Sequence, residues 1–264
     1  MQTGLYIVGT PIGNLSDMSP RAIDVLKNVD LVAAEDTRVF GKLASHFDIK
    51  TRRVSCHEYN ERNVVDGLIE KIRMGASVAI VSDAGMPGIS DPGFRIVRAA
   101  RDAKIPVFVV PGPTAVISAL VLSGFPTDRF TFCGFFDEKK LHEDNRIRHT
   151  IIYYESPNRV KNTMAALARV MPERKVAIVR EITKIHEETV IGYPADLIDT
   201  DVRGEVVLVI APAPEHKLSD AEISEIVNDV AEKSTKGAAA DLAARAGISK
   251  KEAYKRLLNN GDDK

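Results

Sequence analysis

The sequence predicts an α/β fold with two α/β domains and a small helical unit at its C-terminal end. Nine strand-like apolar runs alternate with helical patterns along the chain, and such alternation is typical of α/β proteins. Most of these runs are continuously apolar, as expected for strands that are covered on both faces. The connections between the runs shorten past the middle of the chain, and only helical patterns follow the last run.

The first half of the chain predicts a parallel sheet, because long crossovers join its strand-like runs. These runs are residues 5–9, 30–34, 77–82 and 106–110. Ser19 is a suitable N-cap for the helical pattern that follows it, whose first residue is proline. A second helical pattern places Val64, Leu68 and Ile72 on one face and ends at Gly75.

The second half predicts a mixed or partly antiparallel sheet, because shorter connections join its runs. These runs are residues 130–134, 150–154, 175–180, 187–191 and 204–210. The change in spacing places a domain junction near the PGPTA stretch at 111–115. We therefore expect one α/β domain at residues 1–112 and a second at residues 113–213.

Residues 214–264 predict a linker and a helical tail. The pattern at 235–258 has two short helical segments that break at Gly247, with Ser249 as a plausible N-cap, which is helix-turn-helix spacing. From residue 234 onward the tail has seven basic and four acidic residues. The second helix contains Lys250, Lys251, Lys255 and Arg256. This tail either contacts nucleic acid or packs as a solvated helical hairpin on the body or on a partner subunit.

The composition is that of an ordinary soluble protein, with 36 Lys and Arg against 37 Asp and Glu. This balance gives no overall field that would attract nucleic acid or an acidic membrane. The longest apolar run, Ala115 to Leu122, is much shorter than a membrane span. The start of the sequence shows no secretory signal, so we expect a cytoplasmic protein. The two cysteines, Cys56 and Cys133, form neither a disulfide framework nor a paired metal motif.

Three loops rich in glycine and proline follow strand-like runs directly: GTPIGN (9–14), DAGMPGISDPG (83–93) and PGPTA (111–115). The carboxyl ends of parallel strands share one edge of the sheet, so these loops predict one common site. Their glycines allow the backbone to approach a ligand closely, and Asp83 and Asp91 offer acceptors for a hydroxyl or an ammonium group. The alternative is that each loop is only a tight turn. The sequence contains neither common nucleotide-binding glycine motif, which disfavours ATP and NAD.

Eight segments carry a resemblance to a known family. They are GTPIGNLSDMSPRA (9–22), EDTR (35–38), HEYN (57–60), VSDAGMPGISDPG (81–93), VPGPTA (110–115), YYESPNR (153–159), REITKIHEE (180–188) and GEVVLVI (204–210). Together, and in this order, they resemble the small-subunit ribosomal RNA methyltransferase I family of the tetrapyrrole methylase superfamily. Where tetrapyrrole-modifying relatives have G-G-D-P, this chain has Ala84-Gly85-Met86-Pro87, which favours the RNA branch.

The resemblance implies a fold of the tetrapyrrole methylase type, with S-adenosylmethionine bound in the cleft between the two α/β domains. It implies 2′-O-ribose methylation of a cytidine in the decoding region of small-subunit (16S) ribosomal RNA, and a homodimer. It also implies cofactor contacts from nine residues, which lie in the three loops and in the YYESPNR motif. They are Pro11, Asp83, Ala84, Gly85, Met86, Ile89, Thr114, Ala115 and Tyr154.

Methylation of a ribose hydroxyl favours a general base, and the sequence offers four candidates: Asp36, His57, Glu181 and Lys184. Each has a structural alternative. Asp36 could belong to an ion pair at a strand end, His57 could be a satisfied or exposed histidine, and the other two could cap helices or reach RNA. The sequence does not rank the four, and we expect no metal in the reaction.

Two other functions remain open at this stage. The first is a methyltransferase that acts on a carbon of a tetrapyrrole, which predicts a deep apolar cleft and no use for a basic tail. The second is a non-catalytic RNA-binding factor of ribosome assembly with a vestigial cofactor pocket. Such a factor would bind S-adenosylmethionine without transferring its methyl group.

Overall fold

We describe the protein from a computed structural model. It describes residues 1–57, 60–214, 223, 226–227, 229–230, 235–246 and 249–259. The contacts between residues divide the chain into two units, Met1–Ala213 and Pro214–Lys264. The expected junction between residues 112 and 113 lies inside the first unit and stays a prediction.

The first sheet has five parallel strands in the order β3-β2-β4-β1-β5. They are β1 (Gly4–Val8), β2 (Leu31–Ala34), β3 (Arg53–Ser55), β4 (Ser77–Val81) and β5 (Val107–Val110). The four predicted strands and their parallel arrangement are confirmed. The sequence analysis missed β3, because this edge strand of three residues has only one apolar side chain, Val54, and therefore no hydrophobic pattern.

Helices connect these strands. They are α1 (Pro20–Asn28), α2 (Thr37–His46), α3 (Glu61–Arg73) and α4 (Phe94–Asp102). Ser19 caps α1 as predicted, because its hydroxyl oxygen accepts a hydrogen bond from the Ala22 N–H at 3.1 Å. Helix α3 ends just before Gly75, which has a φ of 103°. That value lies in the region that glycine adopts without a steric penalty.

The second sheet is mixed, as the shorter connections predicted. Its strands are β6 (Phe130–Phe135), β7 (Thr150–Glu155), β8 (Val176–Arg180), β9 (Glu188–Gly192) and β10 (Val206–Ile210), in the order β6-β7-β10-β8-β9. Only β6 and β7 pair in parallel, and the other three pairs are antiparallel. The helices of this half are α5 (Ala115–Ser123), the short α6 (Leu141–Asp144) and α7 (Val160–Val170).

One apolar cluster joins the loop after β1 to the second sheet. Ile12 from this loop and Val116, Ala119 and Leu120 from α5 belong to the same buried cluster as the inward side chains of the second sheet. Those sheet residues are Ile152, Ala177, Val179, Val207 and Val209. Burial of apolar surface of this kind is the main driving force of folding. Helix α5 therefore anchors the end of the third glycine- and proline-rich loop on the second sheet.

The tail unit has its own small core. Its described helices are α8 (Thr235–Ala246) and α9 (Lys250–Asn259). The predicted N-cap is confirmed, because the Ser249 hydroxyl accepts from the Glu252 N–H at 3.1 Å. The core consists of Ile223, Val227, Val230, Ala238, Leu242 and Ala253. The predicted break at Gly247 lies outside the described residues. Among the described residues, no helix has the length and apolar composition that a membrane crossing requires.

Arg174 is a buried cation that connects the ends of three chain segments in the second sheet. Only 2% of its surface is exposed. Its guanidinium donates to the carbonyl oxygens of Ala211 at 2.7 Å, Ile147 at 2.9 Å and His149 at 2.8 Å. Burial lowers the pKa of Arg174 to about 10, so the side chain stays charged at neutral pH. Three carbonyl oxygens thus each accept a hydrogen bond from this one side chain.

We expect Arg174→Met to lower the free energy of unfolding by about 3 to 5 kcal/mol, because it leaves buried acceptors unpaired. Arg169→Met is the matched control. Arg169 is exposed and pairs with Glu138 at the surface, so its replacement should cost less than about 1 kcal/mol. Urea denaturation of both variants measures the difference. Equal losses would show that the carbonyl contacts of Arg174 do not stabilise the fold.

Candidate functional site

The three glycine- and proline-rich loops meet at the carboxyl edge of the first sheet, as predicted. The N–H of Thr10 donates to the Gly85 carbonyl at 2.9 Å, and the Gly85 N–H donates back to Thr10 at 3.2 Å. A Cβ placed on Gly9 would lie 2.7 Å from the backbone of Gly112. A Cβ on Gly112 would in turn lie too close to the backbone of Gly9. Both positions therefore require glycine where the first and third loops cross.

A cavity of about 610 Å³ opens where these loops face the second sheet. The loops and the start of α5 contribute Ile12, Ala84, Gly85, Met86, Ile89, Asp91, Thr114, Ala115, Val116 and Ile117. The second sheet and the loops at its edge contribute Phe132, Phe135, Tyr154, Glu155, Pro157, Ile182, Gly204, Glu205, Val206 and Val207. The walls are mainly apolar with a few polar groups, and the volume is within the range of small-molecule sites.

Aromatic rings form one wall of the cavity. The ring of Tyr154 on β7 makes edge contacts with Phe132 and Phe135 on β6, at centroid distances of 4.9 and 5.6 Å. This geometry is favourable for aromatic pairs. Burial, and to a smaller extent the charge of Asp91, raise the pKa of the Tyr154 hydroxyl. The hydroxyl therefore stays protonated at neutral pH.

Asp91 lies on the opposite wall, in the loop between β4 and α4, and the structure of this loop determines its position. Ser90 has a φ of 61°, in a region that non-glycine residues rarely occupy. The Gly88 N–H donates to the Pro92 carbonyl at 3.1 Å, and the Gly93 N–H donates to the buried carboxylate of Glu61 at 3.2 Å. Hydrogen bonds therefore hold the backbone on both sides of Asp91, one within the loop and one to Glu61 on α3.

Asp91 shares the edge of the first sheet with two other carboxylates, those of Glu35 and Asp83. The Asp83 N–H donates to Glu35 at 3.1 Å, and the Asp36 N–H donates to the Asp83 carboxylate at 3.1 Å. Burial raises the pKa of Glu35 and of Asp83. For Asp91, burial and then the charge of Glu35 raise the pKa to about 6, although a hydrogen bond with Ser82 partly opposes the shift. This carboxyl group therefore titrates close to neutral pH.

Glu155 is the buried carboxylate of the opposite wall, and both of its oxygens have partners. One oxygen accepts from the Ser156 N–H at 2.6 Å and from the Arg159 guanidinium at 2.7 Å. The other accepts from the Thr163 hydroxyl at 2.5 Å. Together these donors satisfy both oxygens of the buried carboxylate. Glu155 thus fixes the start of α7 beside the cavity.

An ion-pair cluster lies beside the cavity, in the segment after β8. The ammonium group of Lys184 contacts Glu181 at 2.8 Å and Glu205 at 3.1 Å. Hydrogen bonds from Lys184 and from the Glu205 N–H lower the pKa of Glu181. Burial lowers the pKa of Lys184, but its hydrogen bonds to the two carboxylates outweigh this effect and raise the pKa overall. A Cβ on Gly204, which has a φ of 83°, would collide with the Glu181 side chain.

Most of the predicted cofactor residues lie together on the cavity wall. They are Ala84, Gly85, Met86, Ile89, Thr114, Ala115 and Tyr154. Pro11 and Asp83 belong to the same loops but do not line the cavity. The wall also includes residues for which the sequence analysis gave no role, such as Phe132, Ile182 and Glu205. Glu205 could have been found from its place in the GEVVLVI motif, directly before a buried strand.

The four predicted bases do not line the cavity, and their catalytic role stays a prediction. Asp36 is the N-cap of α2 and pairs with Arg38 at 2.6 Å. Hydrogen bonds from Arg38 lower the pKa of Asp36 strongly. His57 exchanges hydrogen bonds with Asn60 at the start of α3, where its Nδ1 accepts from the Asn60 N–H at 3.2 Å. Glu181 and Lys184 belong to the ion-pair cluster beside the cavity.

Within the described part of the chain, no group of three or more His, Cys, Asp and Glu side chains has the arrangement of a metal site. The thiols of Cys56 and Cys133 are both unpaired. Burial raises the pKa of each to about 11, so neither is a reactive thiolate at neutral pH.

A family model and relatives of known name each match most of the chain. The family model described as "Tetrapyrrole (Corrin/Porphyrin) Methylases" matches residues 4–197. The chain is 42% identical to the ribosomal RNA small subunit methyltransferase I of Vibrio cholerae, over 97% of this chain and 94% of that protein. It is 44% identical to the protein of the same name from Synechocystis, over 83% of this chain and 82% of the relative.

Solved structures with low sequence identity share the fold. A uroporphyrin-III C-methyltransferase from Thermus thermophilus superposes with a TM-score of 0.58 at 22% identity, covering 80% of this chain and 94% of that one. A diphthine synthase superposes with a TM-score of 0.62 at 15% identity, covering 78% of this chain and 89% of the other. These similarities support the predicted fold class, two α/β halves with a cleft between their sheets.

Proposed function

Because the chain belongs to the tetrapyrrole (corrin/porphyrin) methylase family, we propose that it transfers a methyl group from S-adenosylmethionine to small-subunit ribosomal RNA. The acceptor is the ribose 2′-hydroxyl of a cytidine in the decoding region. The observation that carries the proposal is the similarity to relatives named ribosomal RNA small subunit methyltransferase I, which extends over 97% of the chain in the Vibrio cholerae case. The choice of cytidine, of the 2′-oxygen and of the decoding region follows the family resemblance.

The cavity fits S-adenosylmethionine in size and in chemistry. The apolar side chains of its walls can enclose the adenine ring and the aliphatic chain of the methionine. The backbone at Thr114 can give directional hydrogen bonds, and Glu205 places negative charge near a cationic ligand. The seven cavity-lining residues predicted from the sequence would hold the donor, with Pro11 and Asp83 supporting the same loops.

The bound donor supplies a methyl group that its sulfonium already activates. The chain itself must hold the acceptor in line with that group and keep water out. Fixing two reactants in a reactive geometry can contribute about 7 to 11 kcal/mol to catalysis. The loops that surround the cavity are suited to this task, because their mutual hydrogen bonds and close glycine contacts limit their movement.

The tail unit would supply RNA contacts. Three lysines of α9, Lys250, Lys251 and Lys255, are exposed. The fourth predicted contact, Arg256, is only half exposed and pairs with Glu252 at 3.0 Å. We therefore assign the phosphate contacts of α9 to the three lysines. Lysine side chains neutralise phosphate without reading the base, so this contact would add affinity rather than sequence specificity.

The protein would act as a cytoplasmic homodimer. Helix α5 supports self-association, because it is apolar around its whole circumference while only one face packs on the second sheet. Val121 and Leu122 lie exposed on the remaining surface. Exposed apolar surface of this kind often marks a protein interface.

The proposed activity can be tested on small ribosomal subunits from cells that lack this protein. We expect the purified protein and S-adenosylmethionine to add one methyl group to a cytidine ribose, and mass mapping of the RNA would locate it. Ala115→Trp should abolish both donor binding and methyl transfer, because the indole would occupy the cavity. Transfer to a tetrapyrrole instead of RNA, or donor binding with no transfer to any particle, would contradict the proposal.

Arg98→Trp is the matched control for the cavity variant. Arg98 lies on α4, and its side chain is exposed to solvent and pairs with Asp102. The same bulky substitution there should leave donor affinity by calorimetry unchanged. If both variants lost donor binding equally, the effect of Ala115→Trp would not report the cavity.

Replacing Lys250, Lys251 and Lys255 together with glutamine should weaken binding to the ribosomal particle. The dependence of log affinity on log salt should become shallower by about two units, since each lost phosphate contact on a single strand accounts for about 0.7. Donor affinity should not change. Filter binding over a range of salt concentrations measures the slope.

The control for charge alone is a triple replacement by glutamine on the first unit. Lys27, Lys71 and Lys104 are exposed and lie in three different segments. Their replacement removes the same charge and should leave the salt slope within error of the wild type. An equal change in the two triple variants would mean that the tail does not contact RNA through these lysines.

Light scattering should give twice the chain mass for the wild-type protein at micromolar concentration. Val121→Glu should shift the equilibrium towards monomer, because it would bury an unpaired carboxylate in an apolar contact. A monomeric wild type would rule out the dimer, and a dimeric Val121→Glu variant would place the interface elsewhere.

A further inference from the structure

Methyl transfer to a ribose hydroxyl requires the removal of a proton, and the four bases predicted from the sequence have unfavourable environments for this task. Asp36 and Glu181 accept hydrogen bonds from cations that lower their pKa values, so both are weak bases. The raised pKa of Lys184 keeps it protonated. The Nδ1 atom of His57 is engaged at the start of α3. The base must therefore be sought elsewhere.

The cavity wall contains three carboxylates, and their environments differ. Both oxygens of Glu155 have hydrogen-bond partners, and its side chain is fully buried. The Glu205 side chain is mostly exposed and is paired with Lys184. Among the described cavity residues, Asp91 is the carboxylate with no Lys, Arg or His within ion-pair distance. Asp91 also lies across the cavity from Tyr154, close enough for its charge to act on the tyrosine hydroxyl.

We infer that Asp91 is the general base that removes the proton from the ribose 2′-hydroxyl, an assignment that rests on the proposed function. One carboxylate oxygen of Asp91 takes the proton as the hydroxyl oxygen forms its bond to the methyl carbon. The bond between this carbon and the sulfonium sulfur breaks, and its electron pair stays on sulfur, which becomes a neutral thioether. Asp91 then gives the proton to water.

The loop around Asp91 provides the rigidity that this role needs. The positive φ of Ser90 turns the chain immediately before the aspartate. The Gly93 N–H is held by Glu61, whose carboxylate also pairs with Arg95 at 3.4 Å. A non-glycine residue in a rarely occupied conformation persists only where its surroundings enforce it, and such positions occur often at functional sites.

The electrostatic surroundings suit a base that works at neutral pH. Burial, then the carboxylate of Glu35 and, to a smaller extent, that of Asp83 raise the pKa of Asp91 to about 6, against a hydrogen bond with Ser82. Tyr154 faces it from the other wall as a neutral hydroxyl, and Glu155 and Glu205 are the further ionisable groups there. A carboxylate with this pKa is ionised above pH 6, yet it is a stronger base than one with an ordinary pKa.

The test compares wild-type protein with Asp91→Asn in single-turnover methylation of small subunits across a range of pH. The wild-type rate should rise with pH through a midpoint near 6 and then level off, since the ionised form is the active one. Asp91→Asn should lose this rise and run about a hundredfold to ten-thousandfold slower at the plateau. Donor affinity by calorimetry should change less than about threefold, since the base acts on the acceptor.

Glu35→Gln provides a second variant that leaves Asp91 in place. The charge of Glu35 raises the pKa of Asp91, so its removal should shift the midpoint of the rate profile to lower pH. The same shift should appear without substrate or donor, in an NMR titration of protein labelled at the aspartate carboxyl carbons. There the wild type should show one aspartate that titrates near pH 6, and this signal should be absent from Asp91→Asn.

The outcomes separate this assignment from the proposed function. A wild-type protein that transfers no methyl group to small-subunit RNA would overturn the proposed function, and the assignment of Asp91 with it. A wild type that is active while Asp91→Asn stays within tenfold of its rate would overturn the assignment alone. Loss of donor affinity in Asp91→Asn would also contradict a role of Asp91 as the base. The same holds if Glu35→Gln leaves the midpoint of the pH–rate profile unchanged.

Discussion

The site depends on the close contact between the backbones of two loops, at Gly9 and Gly112. A Cβ on either glycine would lie less than 3 Å from the backbone of the other loop, a distance that packed carbon atoms do not reach. The paired hydrogen bonds between Thr10 and Gly85 bring the remaining loop to the same place. The three loops therefore form one wall, and its shape is determined by backbone contacts rather than by side chains.

The opposite wall is positioned by helix α5, which starts at the end of the third loop. Thr114 caps this helix through its hydroxyl, which accepts from the Ile117 N–H at 3.1 Å. The buried face of α5 packs on the second sheet together with Ile12 from the first loop. Since the loop contacts and the apolar cluster share these segments, the distance between the two walls follows from the packing that stabilises the fold.

The sequence was sufficient to predict the layers of the fold and the loop side of the cavity wall. Long apolar runs mark buried strands, and glycine clusters after them mark the loops, so Gly85 and Ala115 could be placed before the structure was known. Strand β3 could not be predicted, because pairing with β2 rather than its own composition makes Arg53–Ser55 extended. The ion pair of Asp36 was one of the alternatives that the sequence offered, and its partner, Arg38, lies two residues away. The contact of Lys184 with Glu205 could not be predicted, because Glu205 belongs to another part of the chain and the spacing gives no sign of the contact.

Carboxylates that look alike in the sequence differ in whether a cation neutralises their charge. In Asp36, Glu155 and Glu181 the negative charge is compensated by Arg38, Arg159 and Lys184. Glu35, Asp83 and Asp91 hold their carboxylates at the edge of the first sheet, where burial raises all three pKa values. The result is a local negative potential next to an apolar cavity in a protein whose overall charge is close to zero. Such a potential opposes further ionisation, so a carboxyl group held there keeps its proton to a higher pH and is a stronger base once it is ionised.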